Sequence, residues 1–331
     1  MNPRRCDEYD YINFWVAAQK SYSCLEAGRV QPNKLGAPAH DALNRMLHRN
    51  EPNPDKLWRE AELQVNKEQG LLLLDDSTLD KPFAKQMGWV YGHWSGKHHN
   101  TVRGINLLTL RWTDGDKHIP CDPRIYDQPN DQLSQNDHFA ELLTTAYQRG
   151  FQPAYVGFDS WYSSLPNLKL IRQYGWHWVT RFKSNRLVNP NRRGNIPLAR
   201  IEIGKIGRIV HLKGYGFIKV FRTVSPDGDV EHWATSDLEM NELGRVSVAE
   251  KTWAIENYHR GLKQFGGVEK CQARSVTAPR NHLAFAIRAF LRLEVYSYTT
   301  GYSWFEAKMR IIREAIRAYL ENPKYILDST A

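Results

Sequence analysis

Residues 71–74 are four consecutive leucines, and Asp75 and Asp76 follow at once. An unbroken apolar run of this kind offers no polar face to water. It suits a strand buried on both sides near the middle of a sheet better than a half-exposed strand. The run therefore predicts a central strand, entered at Gly70 and ending in two carboxylates.

The rest of the chain arranges itself around that strand. Thr101–Trp112 reads as a second strand, and Asp114-Gly-Asp as the turn into a third at His118–Cys121. A helix is expected over about Asp137–Arg149, stopped by Gly150. Ala154 to Phe158 reads as a strand running into Asp159. A helix over about Leu165–Tyr174 and a strand over Trp176–Phe182 follow.

Residues 185–195 are polar and basic, and residues 196–236 alternate in polarity with a turn at Pro226-Asp-Gly-Asp. This pattern predicts an antiparallel β insertion. Helical periodicity returns near Val246 and continues to the end. Residues 1–66 read as short helices, the third with Leu43, Met46 and Leu47 on one face. They suit either a helix-turn-helix or a small helical cap on the main domain. Four segments result: a helical 1–66, an α/β core over 67–184, the β-rich 185–240, and a return to the core with terminal helices over 241–331.

The 331 residues carry 45 Lys and Arg against 36 Asp and Glu, a net charge of +9. Such a balance favours a polyanionic partner, either nucleic acid or an anionic membrane surface. No apolar run reaches the roughly 18 residues a membrane span needs, so no span is expected. The N-terminus lacks an apolar signal core, which predicts a cytoplasmic protein. Cys6, Cys24, Cys121 and Cys271 are too scattered for a disulfide framework or a zinc signature. Eleven Trp and sixteen Tyr belong mostly to the core, with some able to stack on bases.

Three acidic positions bear on chemistry. Asp75 and Asp76 end the first strand, Asp159 ends a later one, and Glu256 lies in a helix. Carboxylates at neighbouring strand ends can converge, and a helix packed on that edge adds a third. Such a cluster of hard oxygens is what Mg²⁺ requires, and two ions about 4 Å apart would serve in-line displacement at phosphorus. Taken singly, each acid has an ordinary reading as a turn former, a helix cap or a solvated helix residue. Glu256, Arg260 and Lys263 stand at helical positions i, i+4 and i+7, on one face. That face offers either an acid with two flanking cations for phosphates or a plain surface salt bridge.

In four segments the chain resembles insertion-sequence transposases of the DDE class, bacterial cut-and-paste enzymes. The segments are Leu74-Asp-Asp-Ser-Thr-Leu-Asp-Lys-Pro, His93-Trp-Ser-Gly-Lys-His-His, Phe158-Asp-Ser-Trp-Tyr-Ser-Ser and Ile255-Glu-Asn-Tyr-His-Arg-Gly-Leu-Lys-Gln. The resemblance implies an α/β fold: a ribonuclease-H-like mixed sheet flanked by helices, interrupted by an antiparallel β insertion, with a small N-terminal helical domain. It implies Asp159 and Glu256 as the second and third members of a catalytic, metal-binding triad. The first is Asp75 or Asp76, with Asp75 preferred because adjacent strand residues point to opposite faces. Lys263 matches a Lys of the family's signature, while Ala249 and Thr252 stand where that signature has Tyr and Arg, with Lys251 beside them.

The resemblance further implies two Mg²⁺ ions, with Mn²⁺ as a substitute, and nicking of transposon ends followed by joining to target DNA. It implies a homodimer on DNA and no membrane partner. The expected DNA contacts are Arg260, Lys263, Lys251, Arg181 and Lys183, and Trp233 if it stacks on a flipped base rather than filling the core. His93, Lys97, His98 and His99 are further candidates for DNA. A nuclease without strand transfer, or a DNA-binding relative that no longer cuts, shares the same residues.

Overall fold

The computed structural model describes residues 6–20, 22–32, 36–49, 51–95, 99–225 and 228–324. Lys97 and His98, and Pro226 and Asp227 of the expected turn, lie outside the described residues. The first helices are α1 (Glu8–Ala17), α2 (Cys24–Arg29), α3 (His40–Arg49) and α4 (Asp55–Ala61). Strands β1 (Leu71–Asp80), β2 (Tyr91–Ser95), β3 (Asn100–Thr113) and β4 (His118–Ile125) follow. Next come α5 (Gln128–Asp131), α6 (Gln135–Gln148), β5 (Tyr155–Phe158), α7 (Leu165–Gln173) and β6 (His177–Phe182). The short pair β7 (Leu187–Val188) and β8 (Ile196–Pro197) precedes β9 (Arg208–Leu212), β10 (Gly216–Val224) and β11 (Val230–Thr235). The chain closes with α8 (Glu242–Gln264), α9 (Thr277–Thr300) and α10 (Trp304–Glu321). None of the described helices is long and apolar enough to cross a membrane.

Two compact units divide the chain, Met1–Pro52 with Arg260–Ala331, and Asn53–His259. These differ from the four segments expected. Residues 53–66 belong with the sheet because α4 packs on β4, where Arg149 lies 4.5 Å from the Trp58 ring.

In the helical unit α1 and α3 bury Tyr11, Ile12, Trp15, Leu43, Met46 and Leu47 with Phe285 and Ala289 of α9. Each of the buried Ile, Leu, Met and Phe side chains contributes about 1.5–3 kcal/mol by leaving water. Trp15 stacks on Tyr22 at 4.7 Å, and the Tyr11 hydroxyl meets His282 Nδ1 at 3.0 Å. Gly267 sits at φ 64°, and a Cβ there would come within 2.3 Å of the Trp15 ring, so only glycine fits.

The second unit is built on a nine-stranded mixed sheet of order β2-β3-β1-β5-β6-β11-β10-β9, with β4 also on β3. β1, β5 and β6 run parallel, while β11 joins β6 antiparallel. The strands of the expected insertion therefore interrupt the chain but extend the same sheet. Among the described strands only β7 and β8 form a separate pair.

β1 is also longer than its apolar run. It pairs with β3 over all ten residues, from Leu71↔Thr113 to Asp80↔Gly104, but with β5 only as far as Leu74↔Phe158. The two aspartates thus lie in mid-strand, at the point where one neighbour stops.

Helices cover both faces of this region. Val248 and Ile255 of α8 pack with Leu71, Leu73, Val179, Phe221 and Trp233. On the other face Phe139 of α6 meets Phe158 at 5.1 Å. α6 starts with a capping box between Ser134 and Asp137, which satisfies donors that a helix start otherwise leaves unpaired.

Candidate active site

Strand alternation sorts the two neighbouring aspartates. Leu71 and Leu73 face α8, so Asp75 shares that face, and Asp76 turns to the side of α6. There the Tyr162 hydroxyl donates to Asp76 Oδ1 at 2.6 Å, and Asn106 Nδ2 donates to Oδ2 at 2.5 Å. Gln135 Nε2 in turn donates to Asn106 Oδ1 at 3.1 Å. Both oxygens of Asp76 are thus engaged by the fold.

Asp75 has a different setting. Leu74 is registered with Phe158, so the next step of the register sets Asp75 beside Asp159. One strand further, Phe158 is registered with Thr180, which sets Asp159 beside Arg181. Asp75, Asp159, Arg181 and Glu256 all line one open cleft of about 420 Å³. Asp159 caps the short helical turn that follows it by accepting from the Ser160 N–H.

The cluster is electrostatically tense. Burial, then the charges of Asp76, Asp159 and Glu256, hold the Asp75 carboxyl well above the usual carboxylate range. His259 Nε2 stands 3.7 Å from Asp75 Oδ2. Burial opposes the charge of Arg181, but Glu231 at 2.9 Å and the carboxylates of Asp159 and Glu256 outweigh it and favour the cation.

These donors fit a divalent cation in kind, since they are hard oxygens whose mutual repulsion a cation would relieve. Among the described residues no three His, Cys, Asp or Glu side chains already form a ready-made cage for one ion.

Two close contacts hold Glu256 over the sheet. Arg111 of β3, 0% exposed, donates from Nη1 to the Ala254 carbonyl at 3.1 Å and lies 5.1 Å from the Tyr258 ring. Gly157 lets α8 approach: a Cβ there would meet Leu73 Cδ2 at 2.8 Å and Thr252 Oγ1 at 3.2 Å.

The remaining expected residues are spread more widely. Lys183 is exposed, with Nζ 6.0 Å from the Trp161 ring. The Lys251 stem lies against the Gly115 turn. Arg260 is exposed and Lys263 lies 3.4 Å from Glu269, both in the helical unit. Trp233 is 8% exposed and packs in the core, its ring N–H donated to Glu231 at 3.0 Å. It is a core strand residue that also lines the cleft.

Sequence reasoning missed Tyr162, Asn106, Arg111 and His259. Of these only His259 carried a local signal, standing three residues after Glu256 and so on its helix face.

A sequence profile described as DDE superfamily endonuclease matches residues 27–208, which include Asp75, Asp76 and Asp159 and stop short of Glu256. No curated protein matches the chain. In structure it is similar to a piggyBac transposase synaptic complex with hairpin DNA, with a TM-score of 0.54 and 12% identity, over 98% of this chain and 74% of that one. It also aligns with a Drosophila P element transposase strand transfer complex at a TM-score of 0.29 and 11% identity, over 98% of this chain and 67% of that one. The mixed sheet flanked by helices is a ribonuclease-H-like arrangement of the transposase kind. With the profile covering more than half of its length, the chain belongs to the DDE superfamily endonucleases.

Proposed function

We propose that this chain is a DNA transposase that nicks element ends and joins them to target DNA, with Asp75, Asp159 and Glu256 as its metal-binding triad. The observation that carries the reading is the meeting of these three carboxylates at one cleft in a DDE endonuclease. Asp75 rather than Asp76 is the first member, because both oxygens of Asp76 are occupied by Tyr162 and Asn106.

Divalent ions held there, Mg²⁺ or Mn²⁺, would supply Lewis-acid activation of the attacking oxygen and stabilisation of the leaving one. The chain's own residues orient and attract. Asp75 stands on β1 where its pairing with β5 stops, Asp159 directly follows β5, and α8 brings Glu256 to the same cleft. Arg181 offers a fixed positive charge at the cleft wall to a scissile phosphate. Lys183, Lys251, Arg260 and Lys263 add phosphate contacts along the DNA, which the net charge of +9 favours over long range. Two ends cut in concert require two such sites, hence a dimer on DNA.

The test is Mg²⁺-dependent nicking of DNA carrying the element's ends by the wild type and by Asp159→Ala. Wild-type nicking lost in the variant is expected; cleavage that survives Asp159→Ala removes the triad.

A further inference from the structure

Arg181 stands between two sets of acids. On β6 it is registered with Trp233 of β11, and Glu231, two residues along β11, projects from the same face of the sheet. Arg181 Nη1 donates to Glu231 Oε1 at 2.9 Å. Toward β5 and α8 lie Asp159 and Glu256, near enough for their charges to act on Arg181. All four groups line the one cleft. Glu231 is itself held. Its second oxygen accepts the Trp233 ring N–H at 3.0 Å, and that indole packs with Val248 and Ile255 of α8 and with Phe221. The buried ring thus fixes the carboxylate, and the carboxylate fixes the guanidinium.

A guanidinium pairs with any carboxylate it can reach, and there it competes with a metal for the same oxygens. Were Glu231 absent, Asp159 and Glu256 would be left to draw Arg181 in. We infer that Glu231 is a positioning residue that tethers Arg181 to the cleft wall and so keeps Asp159 and Glu256 open to a divalent cation. The negative charge of Glu231 is not the device in itself. Arg181 offsets that charge at 2.9 Å, so the pair is close to neutral for an ion among the three acids. A released Arg181 would instead set its positive charge against the metal-binding oxygens. Glu231 takes Nη1, and a guanidinium carries five N–H donors, so donors remain for a phosphate while the cation is held back from the acids. The inference rests on the triad binding metal, and it concerns what keeps the triad accessible.

The test measures Mn²⁺ binding by the full chain without DNA, so that nothing is cut. The electron-spin signal of the free ion and the rise in melting temperature that the ion causes both report it, and melting in chelator checks that each variant folds. Glu231→Gln removes the charge at nearly constant shape. It should weaken Mn²⁺ binding about three- to tenfold, a modest factor because the ion pair is partly open to water. Arg181→Ala should bind Mn²⁺ at least as tightly as the wild type. Glu231→Gln placed in that background should have no further effect, since no guanidinium is left to restrain. Glu250→Gln is the control, because Glu250 is an exposed acid of the same cleft. Any weakening it causes should persist in the Arg181→Ala background.

Equal Mn²⁺ binding by Glu231→Gln and the wild type overturns the tether. So does a weakening by Glu231→Gln that is as large in the Arg181→Ala background, which would make Glu231 a source of charge only. Either result, with binding lost in Asp159→Ala, keeps the triad and removes the tether alone. An absence of wild-type Mn²⁺ binding, or binding that Asp159→Ala leaves unchanged, removes the triad and the tether with it.

Discussion

Replacing Tyr162 by Phe removes one oxygen and almost nothing else. The ring is 1% exposed and stacks on Phe139 at 5.0 Å with an interplanar angle of 11°, and Phe keeps that packing. What disappears is the donor at 2.6 Å from Asp76 Oδ1. A hydrogen bond to a charged group is worth about 1.5–3 kcal/mol. Asp76 retains its bond from Asn106 and is partly exposed, so water replaces some of the loss. The expected loss is about 1–2 kcal/mol in urea unfolding. A double-mutant cycle with Asp76→Ala should return a coupling of about 1 kcal/mol or more. A loss below about 0.3 kcal/mol with no coupling would refute the reasoning. Asp76 would then be as free as Asp75, and the ground for choosing between them would be gone.

Three further outcomes follow from the same geometry. Gly157→Val should destabilise the sheet unit by about 1–3 kcal/mol through overpacking against Leu73 and Thr252, and should impair nicking by displacing Glu256; urea melts and a nicking assay check both. Asp75 is held above its ordinary value by burial and like charge, so its contribution to stability is present in acid and lost as pH rises through that raised value. Asp75→Asn should therefore be more stable than the wild type at neutral pH in chelator, the gap should close in acid, and added Mg²⁺ should stabilise only the wild type. Burial lowers the Lys308 ammonium to about 8, where its Nζ donates to the Ala18 carbonyl at 2.7 Å. The unfolded chain then binds more protons than the folded one between about 8 and 10.5, so stability should rise with pH across that window, a rise that Lys308→Met should lose.

Much of the site could be read along the chain because its signals are local. Four leucines running into two aspartates mark a central strand, and the strand into Asp159 and the helix around Glu256 declare themselves by their own periodicity. What escaped was non-local. Ser77–Asp80 carry no apolar run, and only their pairing with β3 makes them strand. The return of β11 to pair with β6, which merges the expected insertion into the sheet, depends on residues some fifty positions apart. Arg111 and Tyr162 are placed by tertiary packing; Tyr162 stands in a segment that carries the resemblance, but nothing local pointed to its bond with Asp76. Trp233 drew attention as an aromatic, but its burial beside Phe221 and Met240 is a property of the folded sheet.

The central claim is that Asp75, Asp159 and Glu256 act together on a phosphodiester while Asp76 serves the fold. Nicking of DNA bearing the element's ends, in Mn²⁺ or Mg²⁺, by Asp75→Asn, Asp76→Asn, Asp159→Asn and Glu256→Gln tests it in one panel. The account predicts no nicking from the Asp75, Asp159 and Glu256 variants and retained nicking from a less stable Asp76→Asn. Retained nicking in any of those three, or its loss in a folded Asp76→Asn, would contradict it.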